Sequence, residues 1–263
     1  MRTTIKHIRK LKNQRPISML ALYEHYFARL CDQAELDMVL IGDSLGNVLY
    51  GYRSTLPVDL EMMIRHSQAV VSATEKPLVV VDMPFMTYQA GLEQAMRSAG
   101  TILQRTEAQA VKLEGCTPYI QEVIRRMTES GIPVMGHLGL TPQSINTLGS
   151  YAQQGKTENE ATLIAQQARE LQDAGCFSIV LESIPDDLAG IITRQVAIPT
   201  IGIGAGPQTD GQVLVLHDIL GLDDTYHPKF VKRYANLQPI ILKAMQEYVR
   251  EVHAGQFPAN NKD

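Results

Sequence analysis

Several acidic side chains in this sequence stand at the ends of short apolar runs. Asp43 follows Met38-Val39-Leu40-Ile41-Gly42, and Asp82 follows Leu78-Val79-Val80-Val81. Glu114 ends Ala110-Val111-Lys112-Leu113, and Glu182 follows Ile179-Val180-Leu181. If Asp43, Asp82 and Glu114 meet, their like charges repel, and the cluster is tolerable only with protonation or a cation. All-oxygen ligands suit a hard ion, and Mg²⁺ keeps waters that a substrate can displace. The same acids can instead serve singly, as caps of the turns or helices that follow.

Lys112 and Glu114 are two apart, so on a strand they share a face. Such a lysine can be half of a structural ion pair, a cation for a substrate carboxylate, or a Schiff-base nucleophile. Glu182, ending an apolar strand, can have a raised pKa and act as a base near neutrality. Its alternative is to cap the helix after Pro185. His137, in Gly136-His137-Leu138-Gly139, is either a hydrogen-bonded core residue or an aid to proton movement. Gly202, Gly204 and Gly206 form GxGxG rather than GxGxxG, so tight packing or close ligand approach is as good a reading as a phosphate nest.

The elements that must position these residues recur. Eight runs read as buried strands: Ser18–Tyr23, Met38–Ser44, Leu78–Met83, Ala110–Gly115, Pro133–Gly139, Phe177–Ser183, Pro199–Gly206 and Val213–Asp218. Helical patterns with one apolar stripe lie between them, over Glu24–Glu35, Leu60–Thr74, Gln89–Thr106, Tyr119–Ser130, Asn159–Ala174 and Asp186–Gln195. Lys229–His253 reads as terminal helices outside the core, and Arg2–Lys12 as an amphipathic surface helix. A βα repeat leaves a closed barrel or an open doubly wound sheet. The count of eight, and polar residues after almost every strand, favour an α/β (β/α)8 TIM barrel. It is read as one catalytic domain over 1–263, with extra N- and C-terminal helices and a loose tail at Asn260–Asp263. In that fold the active site lies at the C-terminal ends of the strands. The endings include Tyr23-Glu24 and His217-Asp218 beside those above.

Composition bounds the rest. The 263 residues carry a net charge of −4, with no basic stripe of the kind that binds nucleic acid. Cys31, Cys116 and Cys176 are widely spaced and odd in number, which points away from disulfides and zinc and toward a cytoplasmic setting. No secretory leader and no apolar run of membrane-spanning length is read.

Taken together, these segments resemble the ketopantoate hydroxymethyltransferase family. The matching stretches are Val39–Gly46, Ser54–Val58, Asp82–Met86, Val111–Gly115, Gly136–Ser144, Leu181-Glu182 and Ile201–Gly206 with Asp210-Gly211-Gln212. The resemblance implies a (β/α)8 barrel, Mg²⁺, 5,10-methylenetetrahydrofolate as one-carbon donor, and a homodecamer of two five-membered rings. It places the metal at Asp43, Asp82 and Glu114, the 2-oxo acid at Asp43, Ser44, Asp82 and Lys112, and the proton acceptor at Glu182, with His137 in support. The implied reaction hydroxymethylates 3-methyl-2-oxobutanoate to 2-dehydropantoate, the first step of pantothenate biosynthesis, through an enolate that Mg²⁺ stabilises. Two segments depart from the family pattern: Ala21-Leu22-Tyr23-Glu24 replaces the usual Thr-Ala-Tyr-Asp, and Cys116 replaces a second glycine. Both lie beside the metal and base positions, so they bear on substrate fit and rate. The rival readings are a folate-independent metal-dependent lyase or mutase of 2-oxo acids, a Schiff-base aldolase, and a silent binding barrel.

Overall fold

The computed structural model describes residues 2–223 and 228–258. The chain divides into two compact units, Met1–Leu214 and Val215–Asp263. Eight parallel strands close into a barrel in chain order. They are β1 (Ile17–Ala21), β2 (Met38–Ile41), β3 (Leu78–Asp82), β4 (Ala110–Glu114), β5 (Val134–Gly139), β6 (Ser178–Glu182), β7 (Thr200–Ile203) and β8 (Gly211–Val215). Every residue of β2, β3 and β4 is buried, as strands covered on both faces must be.

The helices of the first unit are α1 (Ile5–Leu11), α2 (His25–Cys31), α3 (Leu45–Val48), α4 (Leu60–Val71), α5 (Leu92–Thr106), α6 (Pro118–Glu129), α7 (Ile145–Leu148), α8 (Glu158–Asp173) and α9 (Asp186–Gln195). Each longer helix turns one apolar stripe inward, such as Ile120, Val123, Ile124 and Met127 of α6. Their starts are set by dedicated caps. Asp59, Thr117 and Thr157 each accept a backbone N–H in the first turn of α4, α6 and α8, and Thr157 with Glu160 forms a capping box. The second unit holds α10 (Leu216–Leu220) and α11 (Gln238–His253). Among the described residues no helix is long and apolar enough to cross a membrane.

Two stretches differ from expectation. The eighth strand ends at Val215, and His217 and Asp218 fall in α10 instead of at a strand end. Gly211 explains the earlier start: a Cβ there would stand 2.5 Å from the Ile17 carbonyl oxygen, so only glycine lets β8 begin so close to β1. Residues 228–237 are not helical, which leaves α11 as the one helix within Lys229–His253. The expected tail, Asn260–Asp263, lies outside the described residues.

At the N-terminal end of the strands, the buried Asp37 and the largely buried Asp210 tie backbone together. Asp37 accepts two bonds from Arg15, at 2.8 and 2.6 Å, and also the Ser18 N–H at 2.9 Å. Asp210 takes Lys12 Nζ at 2.6 Å and the Thr200 N–H at 2.9 Å, linking α1, β7 and β8. Burial alone would raise the Asp37 pKa, but the bonds from Arg15 and Ser18 outweigh it and hold it below the ordinary 3.8. That contribution is therefore complete above pH 3.8 and is lost as pH falls through the lowered value. Asp37→Ala removes the shared acceptor of the Ser18 N–H and the half-exposed Arg15; it is expected to cost about 1–2 kcal/mol by urea denaturation at pH 7, with the gap from wild type closing in strong acid.

Candidate active site

Parallel register decides which polar groups meet at the opposite, C-terminal rim. Asp82 pairs with Lys112 across β3 and β4, and Glu114 pairs with His137 across β4 and β5. Neighbours in register share a face, so each pair meets inside the barrel. Lys112 Nζ lies 3.0 Å from Asp82 Oδ1 and 3.1 Å from His137 Nδ1. His137 Nδ1 lies 3.4 Å from Glu114 Oε1, and its Nε2 lies 3.1 Å from Glu182 Oε2. One continuous line of charge thus runs Asp82, Lys112, His137, Glu182. Asp43 joins it from the turn after β2, where its backbone N–H donates to Asp82 Oδ2 at 3.1 Å. Ser44 follows, its hydroxyl 2.7 Å from the Tyr23 phenol.

All the residues expected to form the site are brought to this rim. Asp43, Asp82, Lys112, Glu114 and His137 are all buried, and the Glu182 side chain is 22% exposed. Its carboxylate is thus the open end of the line. The capping alternative is not what the acids do. The caps of α6 and α9 are Thr117 and Pro185, and the first residue of α3 is preceded by Ser44 without a side-chain cap bond. The glycine run is a packing device. A Cβ on Gly206 would stand 2.3 Å from the Asp186 carboxyl carbon, a poor neighbour for a phosphate, and one on Gly202 would meet Thr209.

Burial and crowding shape the charges. Asp43 is pushed well above the ordinary carboxylate pKa, first by burial and then by Asp82 and Glu114. Asp82 is also raised by burial, with Lys112 pulling the other way. Burial alone would lower the Lys112 pKa, but Asp82, Glu114 and Asp43 outweigh it and keep the amine protonated. The His137 imidazole is raised to about 9: burial and Lys112 oppose this, and hydrogen bonds to Glu114 and Glu182 prevail. In the neutral ring the Lys112 ammonium donates to Nδ1, which puts the imidazole proton on Nε2, facing Glu182.

Among the described residues, no three His, Cys, Asp or Glu side chains are arranged as a ready metal cage. The donors nevertheless fit a hard divalent ion. Asp82 Oδ1 is buried and accepts no aligned hydrogen bond, and the raised Asp43 marks a surplus of negative charge that a cation would relieve.

Two residues not singled out from the sequence complete the site. Gln143, in the 3₁₀ turn Pro142–Ser144, donates through its side chain to Asp43 Oδ2 at 2.8 Å and through its backbone to Glu114 Oε2 at 3.0 Å. Tyr88 donates to Gln143 Oε1 at 2.9 Å. No spacing rule marks them, because they are neutral and reach the rim from loops.

A closed parallel barrel with acid, ammonium and imidazole aligned at its C-terminal rim is the arrangement of a barrel enzyme. Comparison with known proteins narrows the class. The family model described as ketopantoate hydroxymethyltransferase matches residues 2–260. The chain is 52% identical over 258 residues to the 3-methyl-2-oxobutanoate hydroxymethyltransferase of Pelobacter propionicus, covering 98% of this chain and 95% of the relative. It is 52% identical over 259 residues to the protein of that name from a Picosynechococcus species, covering 98% of each. Among solved structures, phosphonopyruvate hydrolase in complex with oxalate and Mg²⁺ shares the fold at a TM-score of 0.63 and 12% identity, over 98% of this chain and 90% of that one. The chain belongs to the ketopantoate hydroxymethyltransferase family, and it is an enzyme of the hydroxymethyltransferase class.

The rim carrying Glu182 depends on Gly139. This residue has φ +92°, and a Cβ there would lie 2.2 Å from the Glu182 carbonyl oxygen, which accepts the Leu140 N–H at 2.8 Å. Gly139→Ala is expected to cost at least about 2 kcal/mol in urea denaturation and to depress turnover further by displacing Glu182.

Proposed function

We propose that this chain transfers a hydroxymethyl group from 5,10-methylenetetrahydrofolate to 3-methyl-2-oxobutanoate, giving 2-dehydropantoate at the start of pantothenate biosynthesis. The observation that carries the reading is the line from Asp82 through Lys112 and His137 to Glu182, in a chain 52% identical to relatives of that name. Asp43, Asp82 and Glu114 would hold Mg²⁺, directly or through its waters. When bound, the ion supplies positive charge opposite the keto oxygen, where negative charge grows as C3 loses its proton.

The remaining work falls to side chains. Lys112, kept cationic by its acidic neighbours, offers a charged donor to the substrate carboxylate, and the Ser44 hydroxyl offers a second. A protonated lysine is a poor Schiff-base nucleophile, which weighs against the aldolase alternative. Glu182 takes the proton from C3, which becomes nucleophilic and attacks the one-carbon unit. The C3–H bond and the two C–N bonds that tie the one-carbon unit to the folate break; a C–C bond to C3 and a C–O bond to a water oxygen form, and the C3 proton and one water proton end on the two nitrogens of the departing tetrahydrofolate. His137 Nε2 stands 3.1 Å from Glu182 Oε2, close enough to steady that carboxylate as it gains a proton.

Assembly belongs to the same reading. Helix α11 buries no side chain and leaves Ile240, Leu242, Met245 and Tyr248 exposed, at 63, 47, 61 and 57%. Such a surface favours association with further copies, and we take the assembly to be the homodecamer that family membership implies.

Two variants test the chemistry. Glu182→Gln is expected to bind the 2-oxo acid and Mg²⁺ but to lose deuterium exchange at C3, followed by proton NMR in deuterated buffer. Normal exchange would remove Glu182 as the base. Asp82→Ala is expected to abolish Mg²⁺-dependent product formation, while turnover that is equal with and without 5,10-methylenetetrahydrofolate in wild type would favour a lyase or mutase.

A further inference from the structure

Gln143 is buried, 5% exposed, and every polar atom of its side chain is engaged. Its Nε2 donates to Asp43 Oδ2 at 2.8 Å and to the Met83 carbonyl, next to Asp82, at 3.0 Å. Its Oε1 accepts from the Tyr88 hydroxyl at 2.9 Å and from Gln89 Nε2 at 3.1 Å. A flipped amide would face two acceptors with its oxygen and two donors with its nitrogen, so the orientation is determined from both sides. Its backbone N–H meets Glu114 Oε2 at 3.0 Å, and the Tyr88 hydroxyl in turn accepts the Glu114 N–H at 3.2 Å. One residue therefore grips two of the three carboxylates proposed for the ion and the strand end that carries the third.

Resting on the function proposed above, we infer that Gln143 is a positioning residue: it presets Asp43 and Glu114 to receive the divalent ion and its 2-oxo acid, with Tyr88 locking its amide. The choice of a neutral amide has a physical reason. Lys112 neutralises the carboxylate it touches, which competes with an incoming cation. An amide aims a carboxylate without cancelling its charge, so Asp43 is fixed in place yet stays available to the ion. Removing the amide frees Asp43 to splay away from Glu114, and the ordering then falls on the ion when it binds.

The test is Mn²⁺ titration followed by electron paramagnetic resonance of the free ion, on full-length wild type, Gln143→Met and Tyr88→Phe. Gln143→Met keeps the volume and removes the amide contacts to Asp43 and Tyr88 without adding charge; Mn²⁺ is expected to bind roughly tenfold more weakly, and Tyr88→Phe to weaken it by a few-fold. In turnover, the half-saturating Mg²⁺ concentration and KM for 3-methyl-2-oxobutanoate should rise together, with kcat largely recovered at saturating Mg²⁺. A purely structural role would lower Tm and kcat without moving ion affinity, and that result would overturn the inference. If Gln143→Met does not fold, Tyr88→Phe carries the same measurement. Unchanged Mn²⁺ affinity in folded variants overturns the positioning role alone. Failure of wild type to bind Mn²⁺ overturns the ion reading, and this role with it.

Discussion

Three carboxylates buried around one ammonium are the constraint that the rest of this rim answers to. Asp43, Asp82 and Glu114 have little access to water, and Lys112 is their one lysine neighbour. Desolvation of that many like charges is costly, and the strain shows in the raised Asp43. The surrounding groups relieve it without erasing it. His137 stands beside Glu114, Gln143 donates to Asp43 and Glu114, and the Asp43 backbone donates to Asp82. What is left over is negative charge with oxygen donors, which is a site poised for a hard cation.

The two ends of the barrel spend their buried acids differently. At the N-terminal end, Asp37 and Asp210 are saturated by Arg15, Lys12 and backbone amides, and they tie strands to one another. At the C-terminal end, Asp82 Oδ1 has no aligned donor and Glu182 opens to solvent. Both ends bury carboxylates, but only one leaves bonding capacity unused. That difference, more than burial or charge taken alone, separates the acids that hold the barrel from those proposed to meet a substrate.

Much of this was legible in the sequence because strands terminate where their side chains must change character. Asp82, Glu114 and Glu182 each follow an apolar run on a single strand, so the residues that aim into the rim could be read one strand at a time. The convergence of Asp82 on Lys112, and of Glu114 on His137, followed once eight such strands closed into a barrel. Gln143 and Tyr88 were not legible as site residues. They are neutral, they sit on loops, and their partners are distant in the chain: Gln143 meets Asp43 100 residues away. The eighth strand was placed late because the apolar run from Val213 continues past the strand end at Val215 to Leu216, so its first polar break, His217-Asp218, falls inside α10. The signal for the true start was Gly211, whose role appears only when β1 is beside it.

The proposed function turns on one claim: that the surplus charge of this rim holds one divalent ion against a 2-oxo acid. The most direct measurement is anomalous diffraction at the manganese edge from crystals grown with Mn²⁺ and 3-methyl-2-oxobutanoate. The account predicts a single strong peak at the ends of β2 and β3, in contact with Asp43 and Asp82, with the keto acid beside it and its C3 facing Glu182. A fully occupied substrate with no manganese peak at that rim, or a peak elsewhere in the barrel, would contradict it.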